Sequence, residues 1–141
     1  MSADWLVSER AGVKVLRLDR ELDSDALAGL EELLSGLVAS AKPRLVVDLS
    51  SCPRVTSEML RFFLVAARRV EAQGGGFALA SPSPEVQRFL ELSGVARLCR
   101  VLPSLDEAQQ AVQGNEWIEA LAHKVLALLE RAERRETAYP V

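Results

Sequence analysis

Apolar positions along this chain repeat with two periods, and the two take turns. Leu45-Val46-Val47 and Phe77 to Ala80 are short runs with apolar residues on both sides, which suits strands buried on both faces. Trp5 to Val7 and Val13 to Leu18, separated by Ala11-Gly12, predict a β-hairpin. Longer stretches carry the helical period. Leu27, Leu30, Leu33, Leu34, Leu37 and Val38 form one stripe, for which Asp23, Ser24 or Asp25 can cap the start and Ala41-Lys42-Pro43 marks the end. Met59, Leu60, Phe63, Leu64, Ala67 and Val70 form another; Pro53 blocks an earlier start, Thr56 and Ser57 stand at its head, and Gly74-Gly75-Gly76 stops it. Ser83-Pro84 opens a third helix and Gly94 closes it. Leu98 to Leu102 predicts a last strand, and Ser104-Leu105-Asp106-Glu107 reads as a capping box leading a helix to about Val112.

Strand alternating with helix predicts an α/β domain: a mixed central sheet with parallel crossovers and helices packed on it. The organising stretch is Arg44 to Leu64, with Leu45 to Leu49 as the central strand. Sites in such sheets form beyond the carboxyl ends of strands, where helix N-termini offer free N–H groups. Thr56, Ser57 and Glu58 occupy that place.

Gly114-Asn115 predicts a break. A final amphipathic helix then runs from about Glu116 to Arg134, its apolar positions Ile118, Leu121, Val125, Leu128 and Ala132 spaced at three and four, with Trp117, Ala122, Leu126 and Leu129 widening the stripe. The expected division is a domain over 1–113, this helix over 114–135 and a tail over 136–141. Two readings of the stripe stand: it docks on its own domain, or it makes an intermolecular contact, a helix pair or swapped arm giving a homodimer.

Composition changes this picture little but closes several doors. At 141 residues, 49% hydrophobic and 26% charged, the chain can bury a core without metal or disulfides. A net charge of −3 gives no electrostatic pull toward nucleic acid or anionic lipid. The two cysteines, Cys52 and Cys99, read as buried thiols. The single histidine, His123, has no partner at zinc-ligand spacing and sits far from any serine–carboxylate pair, so no metal, no cofactor and no catalytic residue is expected. The glycines at 74–76 lack the Gly-Lys-Ser/Thr of a phosphate loop. No apolar run is long enough to span a membrane, and MSADWLVSER lacks the basic and apolar blocks of a signal peptide, so the expected location is the cytoplasm.

Three segments in order resemble a known family. Asp48-Leu49-Ser50 followed by Val55-Thr56-Ser57-Glu58-Met59-Leu60, then Pro84-Glu85-Val86-Gln87-Arg88 running to Ser93-Gly94-Val95, then Ser104 to Ala108, are similar to STAS domains of the anti-sigma-factor antagonist family. The resemblance covers about residues 12–112 and implies a single STAS-like domain, with the C-terminal helix lying outside it. It also implies a non-enzymatic bacterial signalling domain that binds an anti-sigma factor or kinase-like partner. The alternative is an accessory STAS subunit of a transport or stress-signalling assembly; a nucleotide-binding or enzymatic domain on the same layout is the rival from another class.

The family carries Asp-Ser-Ser-Gly-Leu at the helix start, and its second serine is phosphorylated by the partner kinase. Matched residue by residue, Thr56 replaces the aspartate, Ser57 matches the first serine, Glu58 stands at the phosphoacceptor, Met59 replaces the glycine and Leu60 matches. A glutamate there supplies a permanent negative charge where a phosphate would place about −1.5 to −2. Met59 is expected to add bulk to the partner surface. The implied contact residues are Asp23, Ser24, Asp25, Arg54, Met59, Leu60 and Arg61, around a phosphoacceptor region of Thr56, Ser57 and Glu58. Without that resemblance, Thr56-Ser57-Glu58 is equally well explained as a capped helix start whose glutamate complements the helix dipole.

Overall fold

The structure, a computed structural model, describes the backbone of residues 6–138 and the side chains of residues 7–113 and 122–132. Strand β1 (Leu6–Arg10) pairs antiparallel with β2 (Val13–Arg17). Ala11 and Gly12 both take left-handed backbone angles, φ 52° and 82°, as a two-residue hairpin turn matched to strand twist requires. Trp5, expected in the hairpin, lies outside the described residues.

Strands β2, β3 (Arg44–Asp48), β4 (Gly76–Ala80) and β5 (Arg100–Leu102) then run parallel, giving a five-stranded sheet in the order β1-β2-β3-β4-β5. The Leu45 strand is therefore central, as its two-sided apolar run predicts. Because each parallel strand neighbours the next, right-handed crossovers place all the connecting helices on one face. Helices α1 (Ser24–Val38), α2 (Ser57–Ala72), α3 (Pro84–Ser93) and the one-turn α4 (Val95–Leu98) occupy it. They bury a large core around Leu16, Leu34, Leu45, Phe63, Leu79 and Leu90. The alternate residues of the strands, Val13, Val15, Val46, Ala78 and Ala80, face the other way and are covered by Ala108 and Val112 of α5 (Leu105–Ala138).

The structure differs from the sequence reading at the last strand. Leu98 closes α4 and Cys99 is extended but unpaired, its N–H bonded to the Val95 carbonyl at 2.9 Å; only Arg100–Leu102 join the sheet. Gly94, left-handed at φ 86°, both ends α3 and launches this extra turn.

The second difference is larger. No break occurs at Gly114-Asn115: α5 is continuous over 34 residues. Gly costs a helix about 1 kcal/mol and Asn less, whereas the docked first turns have already met the nucleation cost for the turns beyond them. The helix extends to Ala138, so part of the expected tail is helical, and residues 139–141 lie outside the described residues. The Gln113 side chain still donates to the Ala11 carbonyl in the β1–β2 turn at 2.6 Å, and among the described side chains the apolar ones farther along stand exposed. Val125, Leu126, Leu128 and Leu129 are 46%, 55%, 62% and 55% exposed, which rules out docking of that stretch on its own domain. The side chains of Trp117, Ile118, Leu121 and Arg134 lie outside the described residues.

Candidate functional site

The carboxyl ends of β2, β3 and β4 lie along one edge of the sheet, and the N-termini of α1, α2 and α3 gather there. Each helix start is fixed by the residue the sequence offers. The Asp23 carboxylate accepts from the Ala26 N–H at 2.8 Å, Thr56 Oγ1 from Met59 at 3.2 Å, and Ser83 Oγ from Val86 at 3.2 Å. A cap of this kind is worth about 1 kcal/mol.

The loop from β3 to α2 is held at several points. Asp48, itself buried, accepts from the Ser50 N–H at 3.0 Å, which turns the chain at the strand end. The Leu49 N–H donates to the Ala80 carbonyl at 2.9 Å, extending the ladder by one residue. The Cys52 thiol points inward and donates to the Arg54 carbonyl at 3.0 Å. Burial pushes that thiol's pKa up, the hydrogen bond to Arg54 pulls the other way, and the charges of Asp19 and Glu21 push it up again. A protonated, enclosed thiol is a packing group, not a nucleophile. Arg54 reaches Glu21 at 3.7 Å, joining this loop to the one after β2; both side chains are largely exposed, so the pair is worth under about 1 kcal/mol.

The two loops that sequence reasoning singled out separately meet across one shallow groove of about 340 Å³, lined by Leu22, Asp23, Ser24, Thr56, Ser57 and Glu58. Ser57 and Glu58 are exposed on its α2 side, whereas the Thr56 hydroxyl is occupied in capping. Asp25 and Arg61 are exposed on the first turns of α1 and α2.

Met59 and Leu60 sit differently from the expectation. Met59 is 0% exposed, and its sulfur accepts from the Thr56 N–H at 3.5 Å, completing a reciprocal cap in which thioether replaces the usual carboxylate. Leu60 is buried as well. Both belong to the main core, so the bulk of Met59 fills the interior and leaves the partner-facing surface to its polar neighbours. The reason is the helical period: Met59 shares a face with Phe63 and Val70.

A second groove, of about 170 Å³, adjoins the first and was not singled out from sequence. Pro53, Arg54 and Val55 line one wall, and Glu85, Val86 and Phe89 of α3 the other. Phe89 is partly exposed and Leu92 is 78% exposed. The available signal was the apolar residue at 89 and 92, off the Val86–Leu90 face.

Among the described residues, no group of three His, Cys, Asp or Glu could hold a metal ion, and no helix is long and apolar enough to cross a membrane. His123 is exposed on α5.

A mixed five-stranded sheet with its crossover helices on one face and a capped helix start at the end of the central strand is the fold shared with STAS domains. The family described as "Mlab, STAS domain" matches residues 5–103, and the chain belongs to it. The chain is 28% identical over 108 residues to the anti-sigma-F factor antagonist RsfB of Mycobacterium tuberculosis, covering 77% of this chain and 88% of that one. A solved anti-sigma factor antagonist from Mycobacterium paratuberculosis superposes with a TM-score of 0.68 at 28% identity, over 77% of this chain and 92% of that one. The anti-sigma factor antagonist SpoIIAA in its unphosphorylated form shares the fold, with a TM-score of 0.64 at 23% identity over 78% of this chain and 96% of that one; its phosphorylated form, from Bacillus, also shares the fold.

Proposed function

We propose that this chain is an anti-sigma-factor antagonist, a non-enzymatic cytoplasmic binding domain. Its partner is an anti-sigma factor or related kinase-like protein, and the contact is the groove between the α1 and α2 starts. The observation that carries the reading is the meeting of Asp23 and Ser24 with Thr56, Ser57 and Glu58 in one groove at the edge where helix N-termini converge. The names of the mycobacterial relatives support it. Arg54, on the loop before α2, and Asp25 and Arg61, on the first turns of α1 and α2, are exposed on the same side of the domain and complete the proposed contact.

Glu58 occupies the position of the family's phosphoacceptor and acts as a fixed negative charge. It is exposed and lies in the first turn of α2, where a carboxylate gains about 0.3–1 kcal/mol from the helix dipole. Thr56 is unsuited to modification, because its oxygen already caps α2. Of the two hydroxyls at the α2 start, Ser57 is the one open to a kinase.

The test is a titration of wild type and Glu58→Ser against the anti-sigma factor isolated from the host, with and without ATP, followed by phosphosite mapping. Removing one exposed charge about 4 Å from a like charge is worth about 1 kcal/mol in water, so Glu58→Ser should bind about fivefold tighter and gain phosphate at residue 58. Weaker binding with no phosphate would make the glutamate a recognition element and refute the fixed-charge reading. Failure of either form to bind an anti-sigma factor, with a transport-complex subunit recovered instead, would replace the antagonist reading by the accessory-subunit one.

A further inference from the structure

Among the described side chains, the apolar stripe on the far half of α5 has no cover from the domain, and its composition specifies what would cover it. The repeat Ile118, Leu121, Val125, Leu128, Ala132 alternates steps of three and four, so 118, 125 and 132 are a positions and 121 and 128 are d positions of a heptad. The a positions thus begin with β-branched residues and the d positions are leucine, the choice that favours parallel two-stranded coiled coils. Among the described side chains, Val125, Leu126, Leu128 and Leu129 all stand exposed on this arm, a contiguous apolar face extending away from the domain.

The charges select the orientation. Lys124 and Arg131 both fall at g, exposed on one border of the stripe. An antiparallel pair sets g against g, cation against cation. A parallel pair sets g against e, and the e positions are Ala122, Leu129 and, in sequence, Glu136. The polar face does not suit a lipid surface, because it mixes acidic residues with the basic ones where interfacial helices concentrate Lys and Arg. A short stripe would be a weak coiled coil if the helix had to form by itself. Here it is the continuation of a helix already anchored by Ala108 and Val112, so association need not supply the nucleation free energy.

We infer that the exposed half of α5 pairs with the same segment of a second copy, as a parallel two-stranded helix stem from about Ile118 to Ala132. Two domains are then held side by side at its base. The face of the sheet that carries α5 lies opposite the crossover helices, so the grooves at the α2 starts stay open in the dimer.

The experiment is sedimentation equilibrium on the full chain across a concentration series, with Leu128→Asp as the disrupting variant and Ala132→Cys as the orientation probe. Wild type should approach twice the monomer mass. Leu128→Asp should remain monomeric with an unchanged unfolding midpoint, since Leu128 is 62% exposed and contributes nothing to the domain core. Under mild oxidation Ala132→Cys should form a disulfide-linked dimer on a non-reducing gel while wild type, whose Cys52 and Cys99 are buried, does not. Wild type that stays monomeric at the highest soluble concentration overturns the proposal, and co-flotation of that monomer with anionic vesicles would assign the face to a membrane. A dimer that cross-links only when Ala132→Cys is mixed with Leu121→Cys overturns the parallel orientation, because antiparallel pairs set a against d. A dimer that survives Leu128→Asp overturns the stem as its interface.

Discussion

Replacing Met59 with the glycine that STAS antagonists carry at this position should unfold this domain far more readily than the resemblance suggests. Met59 is fully buried, packs in the main core, and returns a sulfur to the Thr56 N–H. Truncating a buried methionine to alanine costs about 2–5 kcal/mol through lost transfer energy and the cavity left behind. Glycine adds about 1 kcal/mol of backbone entropy, so Met59→Gly should lose roughly 3–6 kcal/mol. That is a large part of the 5–15 kcal/mol typical of a domain. Urea unfolding followed by circular dichroism measures it, with Met59→Ala to separate cavity from backbone and Glu58→Ala as the exposed neighbour, expected to lose under about 1 kcal/mol. If Met59→Gly loses less than about 1 kcal/mol, the side chain is not in the core, and the assignment of the surface to Ser57 and Glu58 alone fails with it.

The remaining expectations concern glycine and thiol. A Cβ on Gly75 would lie 1.8 Å from the Pro43 carbonyl oxygen, which accepts from the Gly76 N–H at 3.0 Å; Gly75→Ala must push β3 and β4 apart and should lose roughly 2–4 kcal/mol in urea unfolding. Gly36, in α1 with nothing within 4 Å of its would-be Cβ, is the opposite case, and Gly36→Ala should raise stability by about 0.5–1 kcal/mol. Burial, with the Glu71 charge adding to it, pushes the Cys99 thiol from 9.0 to about 11. The unfolded chain ionises first, so the stability this thiol contributes is whole below pH 9 and drains away toward pH 11, by roughly 2–3 kcal/mol. Unfolding midpoints of wild type should fall more steeply across that window than those of Cys99→Ala; parallel slopes would show that the thiol is not enclosed.

Most of the domain was legible because its signals are local and redundant. Leu45 to Val47 is apolar on both sides, so only a covered central strand can accommodate it. Pro53 and Thr56 bracket a helix start, and Ser83-Pro84 and Gly94 bracket another. The misread places have physical causes. A one-turn helix such as Val95–Leu98 is shorter than any window that reveals a 3.6-residue period. Gly114-Asn115 weakens a helix without stopping it when the turns before are anchored. Met59 is the instructive case at the site: the spacing to Phe63 and Val70 already pointed it inward, and the family comparison, where a glycine has no side chain to aim, drew it outward. Phe89 and Leu92 needed the fold, because only the packing of α3 beside the Pro53 to Val55 loop turns an off-face aromatic into the wall of a groove.

The unbroken run of α5 through Gly114 couples the angular phase of its two halves. Each residue of a helix turns the next by about 100°. Val112 is fixed against the sheet, so the direction in which Val125 and Leu128 look is set by the number of residues between them and that anchor, and by nothing else. One residue inserted after Val112 would swing the whole apolar stripe about a quarter turn or more around the axis, and a seven-residue insertion would nearly restore it while lengthening the arm by about 10 Å. Chains of this architecture are therefore free to vary the length of the arm in heptads and are penalised for varying it by ones, a constraint on insertions and deletions that the sheet, with its loops, does not impose.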